Sequence, residues 1–420
     1  MVLNYKFENF LSFRDEVEFS MLAPKTKVKN RFPNNYISAE NGSEILKTAV
    51  IVGENAGGKS NFVRSLDYFK SLFKDNEART FKGLININNI EGNCPRCFNT
   101  CSKFEIEVLV NGDCFYLYHL EIDFTGIVKE VLSYKKGYKQ KYQQILSVSR
   151  TELDYKCNEA ECKESSRCKP STSGTYELQI EEFDSDLEEP LKNATQNQKN
   201  IGLFITKLAI LGSEHAIRFT EWIKHDLCPE TNVINYDLYK SMRNEEEDLR
   251  ILNDARYLEI FRMIDYSIRE IKVDEEKPFS KTIVIRKKKD GSIFSREIGH
   301  DSSGVREFFA WAVQIFKVIY ENKVVFADEM DRVLNPVLSD RVIAFINGKK
   351  HYGQFIFTTH NVLHLNLKNY MKEQIYFITK DAENLESELY SLADFPEIRY
   401  ETTKIYEFYM KGILGGTAVE

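Results

Sequence analysis

One short run in this chain combines glycines with a lysine and a hydroxyl residue. The run reads Gly53-Glu54-Asn55-Ala56-Gly57-Gly58-Lys59-Ser60, and Asn61 follows it. Glycines let backbone N–H groups converge on phosphate oxygens, and a helix N-terminus behind them favours negative charge. Lys59 would supply a cation for the outer phosphates, and Ser60 a hydroxyl ligand for Mg²⁺. Residues 53–61 are therefore predicted to bind a nucleoside triphosphate.

Two acidic residues follow a second, apolar run. Asp328 and Glu329 come directly after Val324-Val325-Phe326-Ala327. At the tip of a buried strand, Asp328 is placed to hold Mg²⁺ directly or through water, and Glu329 to polarise the attacking water as a general base. An ordinary strand end followed by a turn is the alternative. The glycine run elsewhere in the chain favours the catalytic interpretation.

A third apolar run ends in polar residues and a histidine. Phe355-Ile356-Phe357-Thr358-Thr359 precedes His360 and Asn361. A histidine here could hydrogen-bond the outermost phosphate or the attacking water. A histidine that only caps a loop is the alternative, but the order of the runs favours a switch histidine.

A pair of serines and a glycine precede an apolar helical pattern. Ser302, Ser303 and Gly304 open this segment, which continues with aromatic and aliphatic residues to about residue 320. Such an opening forms an anion-binding nest with hydroxyl donors. The alternative is a plain helix N-cap by Ser302 or Ser303, and both interpretations can hold together.

The elements that must position these groups can be predicted from periodicity. Residues 48–52 form a β-branched run typical of a buried parallel strand, and apolar residues at helical spacing follow the glycine run. This strand–loop–helix context favours phosphate binding over an ordinary glycine-rich turn. The other predicted elements are a strand pair over 3–20, antiparallel strands over 104–150 with a turn at 111–113, helices over 201–271, a hairpin over 282–299, a helix over 304–320, and buried strands over 323–327 and 354–358.

The sequence distance between the glycine run and the acids indicates how the chain is organised. A simple nucleotide-binding domain would not separate Lys59 and Asp328 by so many residues, so an insertion is required. Composition becomes polar and acidic at about residue 151. We therefore predict an α/β fold in which 1–150 and 256–420 form the two halves of one nucleotide-binding head, with an antiparallel β subdomain. Residues 151–255 form an inserted, mainly helical lobe.

Composition limits the classes of partner. The chain has 420 residues, is 42% hydrophobic and carries a formal net charge of −7. This charge argues against wholesale coating of nucleic acid, although a local basic patch stays possible. No apolar run approaches the roughly 18 residues of a membrane span, and the N-terminus does not resemble a signal peptide. No membrane association and a cytoplasmic location are expected.

The cysteines allow a zinc site. Cys94 and Cys97 form a knuckle-like pair with Cys101 close behind, and a second group lies at Cys157, Cys162 and Cys168. Four thiolates from two knuckles would bind structural Zn²⁺. The wider spacing of the second group favours the alternative, which is reduced surface thiols.

The order of these motifs resembles the head domain of ABC ATPases of the SMC, RecF and OLD type. More narrowly, it resembles stand-alone bacterial ATPases of phage defence and abortive infection, such as those of the AbiL, PARIS and Septu systems. The matching segments are 9–13, 53–61, 328–331, 358–361 and 409–416. The inserted lobe is not covered. The chain departs from the pattern in its Asp-Ser-Ser-Gly signature, in Asn335-Pro336 where His-Pro is common, and in lacking a glutamine that can be placed as the Q-loop residue.

The resemblance implies ATP as the nucleotide, hydrolysis with Mg²⁺, and a head-to-head homodimer or higher oligomer. Ser302, Ser303 and Gly304 would then act in trans, with Ser302 and Gly304 touching the γ-phosphate held by Lys59 of the partner subunit. Asp331 and Asn335 would lie in the loop at the dimer interface. Hydrolysis would loosen the dimer.

Three functions fit this pattern. The first is a defence ATPase whose nucleotide-dependent dimerisation controls an effector on another chain, since no nuclease cluster is evident. The second is a DNA repair or recombination ATPase, with candidate contacts in two basic runs that could equally be solvated faces. The third is an assembly scaffold with little turnover. The basic residues are Lys135, Lys136, Lys139, Lys141, Arg286, Lys287, Lys288 and Lys289.

Overall fold

The computed structural model describes residues 1–39, 42–75, 78–80, 83–89, 101–153, 174–180, 182–195, 202–230, 245–330, 333, 335–365, 367–400 and 405–414. Within these ranges, no helix combines the length and the apolar character that crossing a membrane requires. The strands are β1 (Val2–Glu8), β2 (Val17–Ser20), β3 (Tyr36–Ser38), β4 (Glu44–Leu46), β5 (Thr48–Gly53), β6 (Ser102–Val110), β7 (Cys114–Asp123), β8 (Gly126–Lys135), β9 (Gln143–Leu153), β10 (Gly174–Ile180), β11 (Leu227–Glu230), β12 (Ile268–Lys272), β13 (Ile283–Lys287), β14 (Ile293–Glu297), β15 (Val324–Ala327), β16 (Gln354–Thr359), β17 (Ile375–Lys380) and β18 (Ser387–Ser391). The α-helices are α1 (Lys59–Ser71), α2 (Glu188–Thr195), α3 (Phe204–Ile210), α4 (Glu214–His225), α5 (Glu245–Leu252), α6 (Ala255–Phe261), α7 (Pro278–Lys281), α8 (Ser303–Glu321), α9 (Pro336–Gly348) and α10 (Ile405–Met410).

A six-stranded sheet carries the predicted nucleotide motifs. Its order is β11-β15-β16-β5-β17-β18, and all neighbours are parallel except the last pair. Alternate residues of β5 face two different hydrophobic cores, with Ile51 in one and Val50 in the other. Both faces of this sheet are covered, which is why its strands are continuous apolar runs without polar alternation. The strands predicted over 48–52, 323–327 and 354–358 are confirmed.

A seven-stranded antiparallel sheet in the order β10-β9-β8-β7-β6-β1-β2 packs over the first core. The predicted strand pair over 3–20 and the predicted strands over 104–150 are confirmed. Helix α1 lies between the two sheets. The ring of Phe62 on α1 is 6.3 Å from Tyr5 of β1 and 6.2 Å from Phe326 of β15, centroid to centroid. The helix that follows the glycine run is therefore held from both sides by aromatic packing.

The segment predicted as an inserted lobe takes part in both large sheets. Helices α3 to α6 confirm the prediction of helices over 201–271. Two strands that the sequence did not predict accompany them: β10 joins the antiparallel sheet and β11 pairs with β15. Helices α3 and α4 pack into the first core through side chains such as Phe204 and Phe219. The boundaries at 150 and 255 stay predictions.

The second core lies on the other face of the six-stranded sheet. Helix α8 contributes much of it, including Phe308, Phe309 and Phe316, and α6 and α9 pack beside it. The hairpin predicted over 282–299 is observed as β13 and β14, which form a three-stranded sheet with β12. The helix predicted over 304–320 is observed as α8. The fold class, a mixed α/β architecture with an antiparallel β subdomain, is confirmed.

A stability prediction arises at Gly353, where the chain enters β16 beneath the end of α8. A Cβ atom at this buried position would lie 1.9 Å from the carbonyl oxygen of Val318 and 2.9 Å from that of Lys323. Both atoms are backbone, so neither can move away cheaply. We expect Gly353→Ala to lower the free energy of unfolding by about 3 kcal/mol in urea denaturation.

Gly348 provides the matched control for this substitution. It ends α9, and a Cβ there would meet no heavy atom within 4 Å. Gly348→Ala is expected to be neutral or slightly stabilising, by up to about 1 kcal/mol. Equal destabilisation by the two substitutions would contradict the proposed clash at Gly353.

A second stability prediction concerns Glu130, a fully buried carboxyl group on β8. Its oxygens accept the N–H groups of Phe204 (2.8 Å) and Ile205 (2.9 Å) at the start of α3 and the hydroxyl of Tyr118 (3.0 Å). Burial raises the pKa of Glu130 to about 7, although these hydrogen bonds and the nearby Lys207 oppose the shift. The native state therefore binds a proton that the unfolded chain releases near pH 4.5.

The sign of the pH dependence follows from this difference. The protonated form favours the native state, so its contribution is complete below about pH 4.5 and is lost as the pH rises through about 7. We expect wild-type stability, relative to Glu130→Gln, to fall by up to about 3 kcal/mol between pH 4.5 and 7. Urea denaturation at several pH values measures this difference, and a pH-independent difference would contradict it. Burial lowers the pKa of His351 to about 4. This histidine titrates in both proteins, so its contribution cancels in the stability difference.

Candidate nucleotide site

The glycine run connects the end of β5 to the first residue of α1. Gly53 is the last strand residue, and a Cβ on it would lie 2.3 Å from the carbonyl oxygen of Ile378 on β17. Gly58 has φ of 118° and precedes the helix, where a Cβ would lie 2.4 Å from the hydroxyl oxygen of Ser387. Both positions thus exclude a side chain, one by close packing and one by conformation and packing together. This leaves the loop as bare backbone at a helix N-terminus, which suits an anion.

Two serines outside the glycine run support the loop. The Ser387 hydroxyl at the start of β18 donates to the carbonyl oxygen of Gly57 at 2.7 Å, and its N–H donates to the carbonyl oxygen of Ser12 at 2.7 Å. The Asn61 side-chain amide donates to the Ser12 hydroxyl at 2.8 Å. Sequence reasoning did not identify Ser387, because its proximity depends on β17 and β18 lying beside β5. Ser12 belongs to the opening motif at 9–13 and was not assigned a role.

Lys59 lies folded over its own loop. Its ammonium group donates to the carbonyl oxygens of Gly53 (2.8 Å) and Glu54 (2.6 Å) and lies 2.9 Å from Nδ1 of His360. The residue is 4% exposed. Because an ammonium group can only donate, Nδ1 of His360 accepts this bond and the ring proton resides on Nε2. The lysine predicted to bind phosphate and the predicted switch histidine are thus direct neighbours.

His360 also faces the second predicted catalytic residue. Its Nε2 lies 3.8 Å from a carboxylate oxygen of Glu329. This separation is longer than a hydrogen bond but short enough for electrostatic attraction. Lys59, His360 and Glu329 therefore form a row across the carboxyl ends of β5, β16 and β15.

Asp328 and Glu329 follow β15 and are held by a residue of β16. Asp328 is 2% exposed, and its carboxylate accepts a hydrogen bond from the Thr358 hydroxyl at 2.6 Å. The Glu329 N–H donates to the same hydroxyl oxygen at 2.9 Å. Glu329 has a φ of 51°, in the left-handed region that few non-glycine residues adopt. Glu329 thus marks a sharp turn out of the strand.

The remaining loop residues and the predicted metal ligands suit a solvent-facing phosphate site. Asn55 and Ala56 are exposed, and Ser60 is partly exposed on the first turn of α1. The Ser60 hydroxyl has no hydrogen-bond partner within the described residues. In the described ranges no cluster of three histidine, cysteine or acidic residues could hold a metal ion. One serine hydroxyl and the carboxylate of Asp328 fit Mg²⁺, which commonly takes few protein ligands and completes its shell with phosphate and water.

The serine pair opens α8 at the surface. Ser302 occupies the N-cap position without a side-chain capping bond, and Ser302 and Ser303 are exposed while Gly304 is partly exposed. In the described part of the chain, the hydrogen bonds of these three residues are local and do not reach the loop at 53–60. The N-cap position agrees with the helix-start alternative, and the exposed hydroxyls stay free for an anion.

Of the two residues predicted at the dimer interface, the structure describes only Asn335. Asn335 is exposed and caps α9, since its side chain accepts the N–H of Leu338 at 3.0 Å. This local bond accounts for the asparagine by itself. Asp331 lies outside the described residues.

Two of the candidate DNA-contacting residues, Arg286 and Lys135, have partners within the protein itself. The Arg286 guanidinium donates to Asp265 (2.8 Å) and Asp301 (2.6 Å), and its side chain is 12% exposed. Lys135 is 9% exposed and lies 4.1 Å from the ring centre of Tyr142 and 3.4 Å from a carboxylate oxygen of Glu107. Both cations are therefore part of the protein's own packing. The other basic residues of the two runs are exposed: Lys136, Lys139, Lys141, Lys287, Lys288 and Lys289.

The zinc prediction falls largely outside the described residues. Cys94, Cys97, Cys157, Cys162 and Cys168 all lie there. Cys101 is half-buried with a free thiol, and its pKa is raised to about 11 chiefly by burial.

Comparison with known proteins yields similarity of fold. No protein-family model and no curated protein matches the chain. An SMC head domain from Thermotoga maritima is similar, with 12% identity, a TM-score of 0.42, and coverage of 93% of this chain and 98% of that chain. An SMC head bound to the C-terminal winged-helix domain of ScpA has 13% identity, a TM-score of 0.45, and coverage of 93% and 97%. An SMC head with an extended coiled coil, bound to the C-terminal domain of ScpA derived from Pyrococcus furiosus, has 14% identity, a TM-score of 0.42, and coverage of 93% and 96%.

Proposed function

We propose that this chain binds and hydrolyses ATP as an ABC-type ATPase. The observation that carries the proposal is the convergence of Lys59, His360, Glu329 and Asp328 at the carboxyl ends of three adjacent parallel strands. These residues come from three distant parts of the sequence. A cation, a buried carboxylate and a second carboxylate beside a histidine suit phosphoanhydride hydrolysis better than binding alone.

Each group has a role in this proposal. Backbone N–H groups of residues 53–60 and the N-terminus of α1 bind the phosphates, and Lys59 neutralises their outer oxygens. Ser60 and Asp328 would hold Mg²⁺, which would supply positive charge to the phosphates. Glu329 accepts the proton of the attacking water as that water bonds to the γ-phosphorus and ADP leaves. His360 donates through Nε2–H to the γ-phosphate or orients the water.

The serine pair supports a composite site made by two copies of the chain. Ser302 and Ser303 present exposed hydroxyls at the N-terminus of a 19-residue helix, a combination that favours anion binding. Their hydrogen bonds in the described structure do not involve their own phosphate loop. We propose that they contact the γ-phosphate of the partner subunit, so that ATP joins two heads and hydrolysis releases them.

We further propose that this dimerisation controls a separate effector in bacterial defence against phages, in the cytoplasm. The resemblance of segments 9–13, 53–61, 328–331, 358–361 and 409–416 to defence ATPases supports this role. The alternative of a DNA-acting ATPase retains fewer candidate contacts, because Arg286 and Lys135 are engaged within the protein. The scaffold alternative differs from our proposal in turnover alone.

Two measurements test the proposal. Purified protein with Mg²⁺ should release phosphate from ATP, and its mass by light scattering should double with ATP but not with ADP. Absence of turnover would refute the ATPase proposal, and association with ATP without turnover would favour the scaffold alternative. For the defence role, phage plating on cells that carry the gene with its neighbours is compared with the same cells carrying a Lys59→Met variant. Equal plating efficiency would refute it.

A further inference from the structure

We propose that Thr358 is a positioning residue that locks the Mg²⁺ ligand Asp328 and the general base Glu329 into one unit; this inference rests on the ATPase function proposed above. Thr358 is 1% exposed and lies on β16, two residues before His360. It was noted in sequence only as part of a motif, without a role.

The direction of its hydrogen bonds can be assigned. A backbone N–H only donates, so the Thr358 oxygen accepts from Glu329 at 2.9 Å. The single hydroxyl proton then goes to the carboxylate of Asp328 at 2.6 Å. The two hydrogen bonds therefore run in one direction, from the Glu329 backbone N–H through the Thr358 hydroxyl to the Asp328 carboxylate. Consecutive hydrogen bonds of this kind strengthen each other by polarisation, and in a buried setting they fix the geometry of all three residues.

This pair of hydrogen bonds constrains both acidic residues at once. The Thr358 hydroxyl donates to one oxygen of the Asp328 carboxyl group, which leaves the other oxygen available to a metal ion. The bond to the Glu329 N–H supports a backbone conformation that non-glycine residues rarely adopt, with φ of 51°. Because β16 pairs with β15 in parallel, Ala327 lies opposite Phe357 and the next residues, Asp328 and Thr358, come side by side.

The switch histidine directly follows the same strand. His360 follows Thr358 by two residues and contacts both Lys59 and Glu329. Strand β16 therefore sets the position of His360 through its backbone and the positions of both acids through one hydroxyl. A shift of β16 would move the metal ligand, the base and the histidine together.

The test compares substitutions that separate the hydroxyl from the methyl group of Thr358. Thr358→Val keeps the shape and removes the hydroxyl, whereas Thr358→Ser keeps the hydroxyl. We expect Thr358→Val to raise the Mg²⁺ concentration for half-maximal ATP hydrolysis by roughly tenfold and to lower kcat by roughly 10- to 100-fold. ATP binding in EDTA should be unchanged, and Thr358→Ser should restore the Mg²⁺ dependence. If the valine variant does not fold, the serine–alanine pair tests the hydroxyl in the same way.

Thr48 provides a matched control on the same sheet. It is fully buried at the opposite end of β5, and its hydroxyl bonds Gln374 (3.0 Å) and Asn347 (3.3 Å). Thr48→Val should lower stability without changing the Mg²⁺ dependence. If the loss of any buried hydroxyl changed the Mg²⁺ dependence, Thr48→Val and Thr358→Val would change it equally. This result would overturn the proposal.

The outcomes separate this inference from the ATPase proposal. Wild-type turnover with the same Mg²⁺ dependence in Thr358→Val would overturn the role of Thr358 and leave the ATPase proposal standing. A protein without turnover is still informative, because Mn²⁺ affinity can be measured in the presence of a non-hydrolysable ATP analogue. An unchanged Mn²⁺ affinity in Thr358→Val would overturn the positioning role independently of hydrolysis, and a weakened one would support it.

Discussion

Glu329→Gln is expected to lower the rate of ATP hydrolysis by roughly two to four orders of magnitude while ATP binding is kept. Glutamine retains the size of the side chain and cannot accept the proton of the attacking water. The backbone N–H of Glu329 donates to the Thr358 hydroxyl, and glutamine keeps this bond, so the substitution should leave the turn after β15 intact. Single-turnover hydrolysis and equilibrium binding of ATP measure the two effects separately.

The same variant should accumulate an ATP-bound dimer, because the bridging γ-phosphate is no longer removed. Light scattering with ATP would show this as a stable doubling of mass. Glu259→Gln is a suitable control. Glu259 lies on α6, is exposed, and forms an ion pair with Lys349 away from the nucleotide site. Unchanged turnover in Glu329→Gln would mean that another group is the base.

Lys59→Met is expected to lower kcat/KM for ATP by about a thousandfold. The substitution removes the cation that neutralises the outer phosphates and the donor that contacts His360 at 2.9 Å. Loss of a charged donor weakens binding, and loss of charge stabilisation in the transition state lowers the chemical rate. Steady-state kinetics and binding of a fluorescent ATP analogue measure these contributions.

Lys47→Met is the matched control for this prediction. Lys47 is another buried lysine adjoining β5, at the opposite end of the strand, and its ammonium group donates to the carbonyl oxygens of Asn347 (2.9 Å) and Lys349 (2.8 Å). Burial lowers the pKa of Lys47 to about 8. Its removal should cost stability and leave ATP binding intact. If both variants lost ATP binding to the same extent, the loss would reflect disruption of the sheet and not of the phosphate site.

The parts of the site that are contiguous in sequence could be predicted from it. The strand, loop and helix around Lys59 follow one another directly, and the spacing of the glycines by itself indicates a phosphate-binding loop. Asp328, Glu329 and His360 each end a short apolar run, so strand ends could be predicted without knowledge of the sheet. These are features in which local pattern and chemistry agree.

The parts that depend on pairing between distant segments could not be predicted. The contact of Thr358 with Asp328 requires the register of β16 against β15, and the support of Gly57 by Ser387 requires β17 and β18 beside β5. Likewise, Arg286 lies in a basic run, but folding brings Asp265 and Asp301 to it. A charge pattern alone cannot distinguish such an internal ion pair from a solvent-facing contact.

Strand β16 lies between β5 and β15, although it follows β5 far along the chain. Lys59 and His360 are in contact while 301 residues separate them in sequence. Such pairing has a high contact order, so closing the sheet is expected to be slow compared with forming hairpins such as β6–β7. The nucleotide site exists only after this long-range pairing has formed. ATP binding should therefore act as a late checkpoint of folding, and a newly made chain would acquire its ligand only when synthesis has passed β16.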